Sequence, residues 1–300
     1  MLKMLLRIGL VFLLFGSVAS AQVEQDTTYE TEIETWRSER TARLTSEGGW
    51  LSLIGLHFLK DGDNTIGSAE DNDIVLAAGP THLGTVHLGK YARAKIQINP
   101  GQGVKVDGVE MLSADLADGR KNAPTLVTAG TMSFYVIERG GKKALRVKDR
   151  ESPRRRDFVG IDHFPIDPSW RIEAQWVAFA KAKSVPMKNI LGQESRAMVL
   201  GKVVFEREGQ TFELLPLQDS LGSPLFLIIA DETSGEATYG AARFVYADAP
   251  KDGVVILDFN QAINPPCAFT PFATCPLPPA ENVLPIAVRA GEKDYQGSHD

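Results

Sequence analysis

The apolar positions of this chain fall into three regimes. Residues 8–15 form one unbroken apolar run behind Lys3 and Arg7, and the small residues Ala19 and Ala21 follow it. That is the layout of a cleaved secretory signal peptide over residues 1–21, with an apolar run too short to span a bilayer. Residues 27–45 then place Tyr29, Ile33, Trp36 and Leu44 near one face at a 3.6-residue period, with charges between them, which predicts a helix. Thr27, followed three residues later by Glu30, has the form of a capping box, and Gly48-Gly49 ends the pattern. A helical segment over residues 22–49 is expected to brace the β-rich remainder of the chain.

From residue 50 the chain becomes short apolar runs broken by turns. Runs at 73–76, 85–88, 94–98, 104–106, 132–138 and 144–147 read as strands. Ala94-Lys95-Ile96-Gln97-Ile98 alternates cleanly, so one face is buried and one is wet. Asp107-Gly108 and Gly140-Gly141 sit between apolar runs as hairpin turns do. The spacing predicts a small β-sandwich over residues 50–150. The charged stretch Asp149-Arg150-Glu151-Ser152-Pro153-Arg154-Arg155-Arg156 marks a crossing into a second unit over residues 151–300.

In that unit residues 170–179 alternate, with Trp170, Ile172, Ala174 and Trp176 on one face. Residues 197–205 and 211–217 flank Glu208-Gly209-Gln210 as a hairpin. Residues 225–230 and 254–257 are continuous apolar runs, which suits central strands buried on both faces. The proline-rich stretch 260–279 cannot be a central strand, because proline lacks the ladder donor, and it reads as an ordered loop. The expected fold is mainly β: an N-terminal helix, a small sandwich and a larger β-rich C-terminal unit.

Within the first β unit, Asn64-Thr65-Ile66-Gly67-Ser68, Asn72-Asp73-Ile74-Val75-Leu76 and Val106-Asp107-Gly108 resemble the forkhead-associated sandwich over residues 60–110. That family reads phosphothreonine through an arginine after the first Ile-Gly and through a Ser-x-x-His loop. Here Ser68 stands in place of the arginine, and Thr81-His82-Leu83-Gly84 lacks the loop pattern. The resemblance implies the shape of the sandwich and not the phosphopeptide function.

Charge narrows the partners. Losing Lys3 and Arg7 with the signal leaves 30 basic against 38 acidic residues, a net charge of −8. Nucleic acid is then a poor partner, because phosphate contacts need clustered Lys and Arg, and the one basic run is Arg154-Arg155-Arg156. No membrane span is expected after signal cleavage, and the location is periplasmic or secreted. Two cysteines remain, Cys267 and Cys275. In an oxidising compartment such a close pair is most simply a disulfide. A redox pair or half a metal site fits less well, since the spacing is not C-x-x-C and no histidine lies nearby.

Chemistry concentrates near the C-terminus. Two apolar strands end in polar groups, one at Asp231 and the other at Asp258-Phe259-Asn260, with Tyr239 and Arg243 between them. Carboxylates at strand ends beside an arginine and a tyrosine can converge on a pocket; they can equally be turn caps and a structural ion pair. Familiar nucleophile, metal, phosphate-loop and dinucleotide motifs are absent, so neither metal nor cofactor is expected. His163, near the charged crossing, is the histidine best placed for a role.

Asp157-Phe158-Val159-Gly160, Asp231…Thr238-Tyr239-Gly240…Arg243-Phe244, Asp258-Phe259-Asn260…Asn264-Pro265-Pro266-Cys267 and Cys275-Pro276-Leu277-Pro278-Pro279…Glu281-Asn282 together resemble the domain-of-unknown-function 1684 family. The resemblance extends over most of the chain beyond the signal segment. It implies a fold unit without naming an activity, and members lacking a signal would carry Cys267 and Cys275 as thiols.

The leading functional expectation is a binding protein for a small polar or anionic molecule. Its candidate residues are Arg156, Asp157, Asp231, Tyr239, Arg243, Asp258, Asn260 and Asn264, with arginine supplying fork-shaped donors. One alternative is a hydrolytic enzyme using Asp231 and Asp258 as acid and base, or a Cys267 thiol as nucleophile. Another is a structural envelope protein.

Overall fold

The structure, a computed structural model, describes residues 14–297, with side chains from residue 27 onward. The signal-peptide reading therefore falls on residues 1–13, outside the described residues, and on a stretch described only as helical backbone; His299 also lies outside. Helix α1 (Leu14–Thr45) runs through Thr27 without a break, so Thr27 is not a cap. Its hydroxyl-bearing neighbour Thr31 instead donates back to the Thr27 carbonyl at 2.9 Å. The face predicted by periodicity is the buried one: Ile33 and Leu44 are fully enclosed, and Arg40 lies on the same face, seven residues after Ile33. Among the described residues no helix is long and apolar enough to cross a membrane.

The first β unit holds β1 (Leu53–Phe58), β2 (Gly62–Gly67), β3 (Ile74–Val75), β4 (Gly84–Leu88), β5 (Ala94–Ile98) and β6 (Lys105–Val106). It continues with β7 (Val109–Glu110), β8 (Ser113–Leu116), β9 (Val127–Ala129), β10 (Met132–Arg139) and β11 (Lys142–Asp149). These form a sheet in the order β1-β11-β10-β9-β6-β7 and a second in the order β3-β2-β4-β5-β8. The two sheets share one core, in which Ile66, Val86 and Ile96 meet Phe134, Val136, Leu145 and Val147. The alternation noted at Ala94-Lys95-Ile96-Gln97-Ile98 is realised, with odd positions out and even positions in. Strand β1, the first of the unit, pairs antiparallel with β11, the last.

A short helix α2 (Pro153–Arg156), capped by the Ser152 side chain, follows the crossing. The second unit then builds β12 (Arg171–Lys188), β13 (Glu194–Arg207), β14 (Gln210–Leu214), β15 (Leu225–Ile229), β16 (Arg243–Ala247) and β17 (Val254–Asp258). One sheet runs β14-β13-β12-β17, and β15 pairs with β16. The expected face of Trp170, Ile172, Ala174 and Trp176 does pack into the core. The central-strand reading of 254–257 does not survive. Strand β17 is a sheet edge whose Val254 and Ile256 face outward while Val255 and Leu257 face in. Its first four positions are all apolar, so its alternation was invisible in the sequence.

The proline-rich stretch is an ordered loop of short turns, as its composition predicted. Asn282, fully buried, fastens it: its amide donates to the Leu215 and Ile228 carbonyls, both at 3.0 Å, and accepts from the Leu215 N–H at 2.7 Å. Cys267 and Cys275 sit at disulfide distance with Cα atoms 6.1 Å apart, so Cys267 is not a free nucleophile here. Replacing both cysteines by alanine is expected to cost roughly 2.5 kcal/mol, the loop-closure entropy of so short a ring. Urea unfolding midpoints of the wild type with and without reductant, beside the double variant, check this; an unchanged midpoint would remove the bond's structural role.

Candidate functional site

The predicted site residues separate into several neighbourhoods. In the first, the Tyr29 hydroxyl of α1 lies 2.9 Å from both carboxylate oxygens of Asp258, at the end of β17. The fully buried Asn260 amide donates to that hydroxyl at 3.0 Å and to the Asp167 carbonyl at 2.8 Å, and accepts from the Asp167 N–H at 3.1 Å. Burial pushes the Asp258 carboxyl above its ordinary range, opposed first by the Tyr29 hydrogen bond. Burial, then the Asp258 charge, push the Tyr29 phenol up as well. This cluster knots the helix to the second β unit beside a cavity of about 500 Å³.

Asp231 and Arg243 form a different knot. Arg243 Nη2 is 2.7 Å from Asp231 Oδ2, and the two side chains are 1% and 0% exposed. Asp231 also accepts from the Thr233 and Val288 N–H groups, while Arg243 donates to the Ala290 and Val288 carbonyls. Both terminal guanidinium nitrogens are engaged with the protein itself, while Nε is buried without a partner. Asp231 and Asp258 lie in separate clusters and share no hydrogen-bond partner among the described residues.

Arg156 and Asp157 pair with each other at 2.8 Å, both largely exposed. Tyr239 packs beside Leu44, Leu51, Phe269 and Tyr295, and burial followed by the Asp294 charge pushes its phenol up. His163 meets Glu292 across an isolated bridge, its Nε2 buried without a partner. Burial, with Arg37 nearby, lowers its pKa to about 4, so it is neutral at pH 7. Among the described residues no group of three or more His, Cys, Asp and Glu could hold a metal ion.

Asn264 belongs to the remaining neighbourhood, a cleft of about 760 Å³ where helix, sandwich and second β unit meet. The helix end contributes Arg40 and Arg43, and the chain then delivers Trp50. The sandwich contributes Tyr135, Arg146 and Lys148; Tyr135 and Arg146 face each other across the β10–β11 ladder. The second unit contributes Phe244, Tyr246, Ile263, Asn264 and Pro266. Four cationic side chains and no carboxylate stand among the described lining residues, on a chain whose acids outnumber its bases.

Three of those cations are already engaged, Arg43 with Glu39 at 3.5 Å. Arg40 pairs with the buried Glu292 at 3.0 Å and donates to the Asn264 carbonyl at 3.1 Å, and Lys148 donates to the Gly48 carbonyl. Arg146 is different. It is 7% exposed, stacks over the Trp50 ring at 5.1 Å, and has no hydrogen-bond or ion-pair partner among the described residues. The Asn264 Oδ1 is likewise buried without a partner. Sequence reasoning missed Arg146 because it sits in an apolar strand, Ala144-Leu145-Arg146-Val147. The legible signal was an arginine flanked on both sides by strand-core residues.

The fold and cleft thus define a two-sheet sandwich joined to a second β unit, with a basic seam between them. Residues 156–293 match the family model described as protein of unknown function, DUF1684. The match is narrower than the resemblance expected from the sequence, and it leaves α1 and the sandwich outside. The chain is also similar to an uncharacterized protein of Haloarcula marismortui solved by solution NMR, at 29% identity. That similarity covers 49% of this chain and 83% of the other, with a TM-score of 0.40. No curated protein matches the sequence.

Proposed function

We propose that this protein binds a small anionic molecule in the cleft between the sandwich and the second β unit. The observation that carries this reading is Arg146 on the cleft wall, 7% exposed, its Nε buried and its guanidinium without a hydrogen-bond or ion-pair partner among the described residues. A buried charge without a partner works against folding, and such groups gather at functional sites. A carboxylate, phosphate or sulfate would meet it in fork geometry, with the Trp50 face holding the guanidinium plane. Lys148 and Arg43 add positive potential around the seat. Asn264 Oδ1 could accept from a hydroxyl or amide beside the anionic group. Export to the periplasm or beyond after loss of residues 1–21 belongs to the same reading, and the Cys267–Cys275 pair supports it.

Calorimetric titration with inorganic phosphate and sulfate tests the site. Wild-type protein is expected to bind saturably, and Arg146→Met to bind about 10- to 100-fold more weakly. Its melting temperature should stay level or rise, since an unpaired buried charge has been removed. Unchanged anion binding, or a variant that loses stability while keeping affinity, would make Arg146 a packing residue.

A further inference from the structure

We infer that the molecule this cleft accepts is an organic anion with an apolar body, seated head-first on Arg146; the inference rests on the anion-binding reading above. A bare oxyanion leaves most of a cleft of about 760 Å³ empty, a volume in the class that encloses drug-sized ligands. The two sides of the cleft also differ in chemistry. The helix and sandwich carry the cations, while the opposite wall presents Phe244, Ile263, Pro266 and the face of Tyr246.

That wall is stiff and in part uncovered. Alternation along β16 turns Arg243 and Val245 into the core and leaves Phe244 and Tyr246 on the other face. Phe226 holds both rings, edge-on to Phe244 at 4.9 Å and stacked on Tyr246 at 5.0 Å. Tyr246 nevertheless remains 55% exposed. A ring fixed on one face and bare on the other offers apolar contact at little ordering cost. With Arg146 the only cation among the described lining residues that is both buried and without a hydrogen-bond or ion-pair partner there, the anionic end of a ligand is directed to the sandwich side and its carbon body to the β16 side.

A homologous series separates the two ideas. Acetate, butanoate, hexanoate and octanoate would be titrated calorimetrically into the full chain, with inorganic phosphate as a head-only probe and 2-naphthoate as a planar body. Affinity is expected to climb about fourfold per methylene until the wall is covered. Ile263→Asn and Tyr246→Ser should flatten that climb and leave phosphate binding unchanged. Arg146→Met should weaken every member by a similar factor. Octanoate against 2-naphthoate reports whether the body is a chain or a ring. Phosphate binding with a flat carboxylate series would overturn the apolar body and leave the anion site standing. Binding of neither phosphate nor any carboxylate would overturn both. A climb that ignores Arg146 would mark indiscriminate apolar adsorption and overturn the head-first seating.

Discussion

An Arg243→Ala protein is expected to lose about 3–5 kcal/mol of folding stability, the range measured when one partner of a buried ion pair is removed. Asp231, with a fully enclosed side chain, would lose its one cationic partner among the described residues. The hydrogen bonds it receives from Thr233 and Val288 do not replace a guanidinium. The Val288 and Ala290 carbonyls would also lose their donor, loosening the C-terminal segment from β16. Against a total stability of about 5–15 kcal/mol, a loss of this size is severe. Removing both charges together, in Arg243→Met with Asp231→Leu, should recover much of it, because the cost lies in the stranded carboxylate more than in the pair. Urea unfolding of the two variants decides. If Arg243→Ala unfolds within about 1 kcal/mol of wild type, well short of the buried-pair range, the pair is not a structural knot, and Arg243 becomes a candidate ligand contact again.

Arg40→Ala is expected to be nearly as damaging, and its damage to depend on pH. Arg40 ties α1 to Glu292, whose side chain is wholly enclosed. Burial holds the Glu292 carboxyl above its ordinary range, while Arg40 and the Asn264 N–H pull it back. A carboxyl raised on folding adds stability that is complete below its unfolded pKa, near about 4.3, and is lost as pH rises through the folded value. Without Arg40 the folded value climbs further, so the penalty should be larger at pH 8 than at pH 5. Asp258, also raised by burial, acts with the same sign in the parent protein. His163, lowered to about 4, acts with the opposite sign as pH falls below about 6.5. Urea denaturation of wild type and Arg40→Ala at the two pH values measures the difference. An equal loss at both would mean Glu292 is already neutral when Arg40 is present.

The sequence was informative wherever one periodicity ruled. The α1 face of Ile33 and Leu44, the alternation of 94–98 and the wall of Trp170, Ile172, Ala174 and Trp176 all follow from period alone. It misled where both faces of a strand carried apolar residues, as in β17. It was silent where polar residues interrupted a strand, as Arg243 and Tyr246 do in β16. The candidate site was only partly legible for a related reason. Strand-end acids and arginines are conspicuous in a sequence, yet Asp231 and Arg243 are turned on each other and on the backbone of Val288 and Ala290. Asn264 was recognised through its motif, but its cleft draws on residues more than a hundred positions earlier. No local pattern records that Arg146 lacks an acceptor, because the lack exists only once three parts of the chain have met.

Strand β1 enters the sandwich beside β11, which leaves it. The first β unit therefore begins and ends at one doorway, pinned by the Ser152 hydroxyl on the Leu51 carbonyl and by Arg154 on the Leu53 carbonyl, and is tied again at its far end, where Arg139 donates to Thr274 at 3.1 Å. Arg146 and Lys148 stand on the strand that forms one jamb of that doorway, while Phe244 and Ile263 stand on the far body. The spacing between these two walls of the proposed seat is thus set at two points, the doorway and the Arg139–Thr274 bond. Breaking the second tether alone would leave the cationic wall held to the apolar one only through residues 51–53 and 149–152.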